Sequence, residues 1–200
     1  MFNIKNIIDN NRSTFYNYST EKMLPSSSRI IKKLIIALVL TALFNKIDKD
    51  LINVVLTIYS ILIGFSFNIL FYLITLNKKT NFQQKISIEK QLKLKKINRL
   101  SEELFYNVSY FNIISILLIL ISLSFFVFES ANINIIISNF EIEITDVFIK
   151  YIKFISSLTY AFIFYVALTE SIYTFIRTIG RVSFFFDETL KMKKYNTEEK

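Results

Sequence analysis

Between Leu51 and Leu76 the chain reads LINVVLTIYSILIGFSFNILFYLITL, 26 residues without one charge. A helix crossing the hydrocarbon layer needs about 20 apolar residues, since each advances about 1.5 Å across a core roughly 30 Å thick. A second run, Leu104 to Phe128, LFYNVSYFNIISILLILISLSFFVF, holds 25 residues without a charge. Only 2 glycines and 1 proline punctuate the 200 residues, so few tight turns are available and long helices are favoured over a many-stranded sheet. The class this predicts is an all-α integral membrane protein.

Two weaker runs complete a set of four transmembrane helices. LIIALVLTALFN, from Leu34 to Asn45, is short, but RIIKK before it can bury its isoleucines while Lys32 and Lys33 snorkel. FISSLTYAFIFYVALT, from Phe154 to Thr169, continues through Glu170 into SIYTFI, with helical character running past Arg177. The expected spans are about 30–47, 51–76, 104–128 and 150–176. They leave an N-terminal segment 1–28, a four-helix membrane domain 29–177 and a C-terminal tail 178–200.

Charge sets the orientation. Lys and Arg number six in residues 1–33, eight in 77–103 and six in 177–200, whereas 129–149 holds four acids and neither Lys nor Arg. Basic residues collect on the cytoplasmic side. Both termini and the 77–103 connection are therefore expected inside, and the acidic 129–149 loop outside. In that loop FEIEI alternates with period two after Ser138-Asn139, which predicts a small β-hairpin over 133–144. The first 28 residues lack the pattern of a secretory signal, because the apolar run comes too late. MFNIKNIIDN reads either as a short amphipathic helix or as a flexible N-terminus.

The basic connection is helical from Ile86 onward by its spacing, with Ile97, Leu100 and Leu104 on one face leading into the third span. The third and fourth spans then extend into the cytoplasm, carrying Lys90, Lys93, Lys95, Lys96 and Arg99 on one, with Lys85 just before it, and Arg177 and Arg181, at i, i+4, on the other. These eight residues are the candidate site for an anionic ligand. Topology and contact with membrane lipid headgroups explain the same charges. In a homo-oligomer, most simply a tetramer, the 32 Lys and Arg of four basic connections, eight in each 77–103 segment, would focus anions, nucleic acid above all. Phe82, Phe105 and Tyr106 stand nearby for base stacking. Asn68, Asn107 and Glu170 fall at one depth, and Gly64 shares a face with Asn68. They are candidates for a pore or gate, or for helix packing, with Glu170 expected to pair with Arg177 or an asparagine.

No enzyme is expected. The chain has no Cys and no His, hence no common nucleophile–base pair, and it shows no metal motif or glycine-rich phosphate loop. No catalytic residue, metal or cofactor is assigned, and Asp187-Glu188 reads as a solvated turn.

In order, DLINVVLTIYSILIGFSFN, the basic connection, LSEELFYNVSYFNIISILLIL, the acidic loop and YVALTESIYTFIRTIGRVSFFFDE resemble small four-span proteins of bacterial anti-phage defence systems. From about Met23 the pattern is most like the membrane effector subunit of Hailong-type systems, with the Kiwa membrane subunit a close alternative. The Hailong resemblance implies a tetrameric inner-membrane channel held shut by DNA oligomers made by a nucleotidyltransferase partner. Loss of that ligand would open it, depolarise the membrane and abort infection. The Kiwa resemblance implies instead a membrane sensor or anchor that recruits a soluble DNA-binding partner and conducts nothing.

Overall fold

The computed structural model describes residues 3–16, 22–23, 25–44, 46–80, 88–130 and 146–198. They form five α-helices: α1 (Ile4–Ser13), α2 (Ser26–Leu43), α3 (Lys49–Thr80), α4 (Ile88–Ser130) and α5 (Asp146–Glu198). Among the described residues there is no strand, only an isolated antiparallel bridge between Tyr16 and Met23. The hairpin expected over 133–144 lies outside them.

Local chemistry explains the helix ends. The Asn3 side chain accepts from the Asn6 backbone N–H at 3.2 Å and starts α1. Pro25, with φ −61°, precedes α2. The Asp48 carboxylate accepts from Leu51 N–H at 2.8 Å and caps α3. The first expected span is corrected at its end: α2 stops at Leu43, where Phe44 leaves helical geometry at φ −125°, ψ 64°, rather than reaching Ile47.

Three helices, α3, α4 and α5, are long and apolar enough to cross a membrane, by length and composition. These are the makings of a multi-pass membrane protein. α2 falls outside that set because Arg29, Lys32 and Lys33 interrupt its 18 residues. The long helices present apolar side chains outward: Val54, Ile58 and Ile61 on α3, Leu120 on α4, and Phe154 and Ile163 on α5 are all exposed. In water such a surface would drive aggregation, whereas in lipid it has no cost.

The chain forms two compact units. One comprises residues 1–24, 62–113 and 172–200, the other 25–61 and 114–171. The first has a core of Leu73, Ile97, Leu100, Leu104, Val108 and Phe185, on which Ile69 and Val182 pack. The expected spacing of Ile97, Leu100 and Leu104 is thus a buried stripe, and α5 runs unbroken through the expected tail to Glu198. Asp187 and Glu188 belong to that helix, which corrects the turn expected there. In the second unit Ala37, Ile52, Val55, Leu118, Ala161 and Phe164 are buried.

Candidate functional site

The first unit contains a buried polar cluster assembled from α1, α4 and α5. Glu103 and Asn107 are four residues apart on α4, and Arg177 and Arg181 are four apart on α5, so each pair lies on one helical face. Only 5 % of Arg181 is exposed. Its Nη1 donates to the Glu103 carboxylate at 2.9 Å, and its Nη2 donates to the Thr14 carbonyl. Arg177 Nη2 donates to the side-chain oxygens of Asn11 and Asn107. The Asn107 amide in turn donates to the Glu103 carbonyl at 2.7 Å, and the Thr14 hydroxyl lies 3.1 Å from Asn107 Oδ1.

Two consecutive aromatic residues complete the arrangement. The Phe15 ring has the Arg177 guanidinium 3.6 Å from its centroid and stacks against Tyr173 at 6.5 Å and 6°. The Tyr16 ring lies between Arg99 and Arg181, at 5.4 and 5.8 Å, and its hydroxyl donates to Glu103 at 2.7 Å. Guanidinium groups are held electrostatically by ring faces, and more strongly so where water is excluded. This cluster settles the open reading of the N-terminus: residues 4–13 are a helix, and Ile7 and Asn11 are buried.

The other nominated cations are placed differently. Lys96 reaches Glu188 at 2.9 Å and the face of Phe184 at 5.6 Å, with 53 % of its side chain exposed. Arg99 contacts Glu103 at 3.1 Å and is also largely exposed. Lys95 is exposed with no partner among the described residues, and Lys93 is half-buried. Lys85 and the side chain of Lys90 lie outside the described residues, as does Phe82. Phe105 and Tyr106 are half-buried and meet edge to face at 5.6 Å.

Of the pore or packing candidates, Asn107 belongs to the arginine cluster. Asn68 is exposed on an apolar groove of about 400 Å³ lined by Phe65, Tyr72, Leu73, Val182 and Phe186. Gly64 is also exposed, and a Cβ there would meet nothing within 4 Å, so no neighbour inside the chain demands glycine. Glu170, in the second unit, pairs with Lys33 of α2 rather than with Arg177 or an asparagine.

Sequence reasoning also missed Asn11, Thr14, Phe15, Tyr16 and Glu103. The matched i, i+4 spacing of Glu103–Asn107 and Arg177–Arg181 was the available signal. It indicates two polar faces without saying that they meet.

Comparison of the chain with protein-family models, curated proteins and solved structures gave no match. The class defined here, a helical protein with three helices fit to cross a membrane, rests on the fold alone.

Proposed function

We propose that this chain is the membrane effector of a bacterial anti-phage defence system. In this reading it is a homo-oligomeric channel, most simply a tetramer, in the inner membrane with four spans and both termini cytoplasmic. α2 is the short first span, its lysines snorkelling and Lys33 neutralised by Glu170. A DNA oligomer or similar anionic regulator binds the basic cytoplasmic extension of α4, and opening depolarises the cell.

The observation that carries the proposal is the exposure of Asn68. Along α3 the residues Asn53, Thr57, Ser60, Gly64, Asn68 and Thr75 recur every three, four or seven positions and are all exposed. The hydroxyls of Thr57, Ser60 and Thr75 donate to backbone carbonyls of their own helix, a local solution open to Ser and Thr. Asn68 makes no such bond, unlike Asn107, whose amide donates to the carbonyl four residues back, and nothing among the described residues hydrogen-bonds Asn68. In α4 the opposite holds, since Asn107, Asn112, Ser115 and Ser122 are buried. Polar side chains at membrane depth face protein or water rather than lipid. α3 therefore suits a position beside another copy or along an aqueous path, with Gly64 allowing close approach.

Single-channel recording in planar bilayers tests the proposal. Conductance is expected from the purified chain, altered by Asn68→Leu and modulated by short single-stranded DNA. Silence at every DNA concentration would defeat the channel reading and favour the sensor or anchor.

A further inference from the structure

Arg177 and Arg181 are already occupied, and their occupant has the features of a nucleic-acid strand. Segment 11–16 offers the two guanidiniums oxygen acceptors, from the Asn11 side chain and the Thr14 carbonyl, where a strand would offer phosphate oxygens. It presents two successive flat rings to cations, Phe15 stacked on Tyr173 under the Arg177 guanidinium, and Tyr16 within cation–π reach of Arg99 and Arg181, where a strand would present bases. Single strands are bound by this combination of cations along the backbone and planar groups against the bases. The oxygens that segment 11–16 places on the guanidiniums are neutral, whereas a phosphate would bring its own negative charge and a bidentate geometry to Arg177 and to Arg181, which also keeps its bond to the Glu103 carboxylate.

We propose that the N-terminal segment is an internal pseudo-ligand, and that single-stranded oligonucleotide displaces residues 11–16 from Arg177 and Arg181. The ligand class rests on the function proposed above; the competition with the N-terminus goes beyond it. Undocking α1 takes the Thr14 carbonyl away from Arg181 and the Asn11 amide away from Arg177. Ligand binding is thereby coupled to the packing of α4 against α5 within the first unit.

The chain has no tryptophan, so Phe15→Trp installs a single emission reporter in the full-length protein. In phosphatidylcholine nanodiscs its emission should be blue-shifted and should move saturably to the red as oligodeoxythymidylate is added. Phe15→Trp combined with Arg177→Gln should start at the red position, and if that variant does not fold, the titration of the single variant decides alone. Anisotropy of a labelled oligonucleotide and liposome ion flux are read in parallel. Oligonucleotide binding that controls flux while the emission stays fixed would overturn the pseudo-ligand and leave the channel reading intact. An emission shift without any flux would support the pseudo-ligand and overturn the channel. No binding by either optical signal would overturn both oligonucleotide claims. Emission already red in phosphatidylglycerol nanodiscs and indifferent to oligonucleotide would make a lipid headgroup the competitor and overturn the proposal.

Discussion

Lys33 of α2 is ion-paired with Glu170 of α5, with 18 % and 21 % of the two side chains exposed. Around Glu170 the cleft is apolar, formed by Leu34, Leu117, Ile163 and Val166. A charge can be held there because its opposite is in contact, and each partner makes the other's placement tolerable. The two residues are 137 positions apart, so α2 is tied to α5 by an interaction no local pattern announces.

Removing one partner should cost more than removing both. Glu170→Leu leaves the Lys33 ammonium in apolar surroundings and should destabilise the protein by about 3 kcal/mol. Lys33→Leu/Glu170→Leu should recover most of that loss. Thermal unfolding of the single and double variants in detergent reads the difference, and equal losses would remove the pair from the account.

The docked N-terminus should be detectable by protease. Arg12 is exposed on α1, and the segment following it is held through Arg181 and Glu103. Glu103→Gln weakens a charged hydrogen-bond network, each bond of which contributes about 2 kcal/mol. Trypsin cleavage at Arg12 should then accelerate about tenfold or more where opening is in fast equilibrium. An unchanged rate would mean that Glu103 does not hold the segment.

Ser66 and Asn112 form a buried hydrogen bond between α3 and α4. Ser66→Ala deletes one partner and leaves the Asn112 carboxamide short of a donor, which should cost about 1–2 kcal/mol. Ser66→Ala/Asn112→Leu should cost less than the two single changes summed, which a double-mutant cycle on unfolding midpoints checks.

Oligonucleotide binding should depend steeply on salt. Lys93→Gln, Lys96→Gln and Arg99→Gln together should weaken it, with the slope of log affinity against log salt falling by about 0.7 for each phosphate no longer neutralised. Insertion into the membrane should survive the triple change, since the apolar runs that direct it are untouched. Unaltered affinity and slope would move the binding site elsewhere.

Much of the architecture is legible in the residues. Uninterrupted apolar runs require helices in lipid, and those from Leu51 and from Leu104 lie within α3 and α4. The stripe Ile97–Leu100–Leu104 is buried as its spacing requires. The site was legible only in part. Arg177 and Arg181 read as a cationic face on the last helix, but a periodicity says which residues share a face and not what that face meets.

Sequence by itself therefore determined the helical class, the apolar runs of the membrane-crossing helices and the location of the basic segments, because these follow from composition and from interactions a few residues apart. Tertiary structure decided the partners. Asn68 and Asn107 are the same residue type and were expected at one depth, yet one is exposed and the other is 0 % exposed. Arg181 meets Thr14 across 167 positions and Glu103 across 78. Such pairings depend on how helices are rotated and brought together, and that is a collective outcome of packing rather than a property of any stretch of chain.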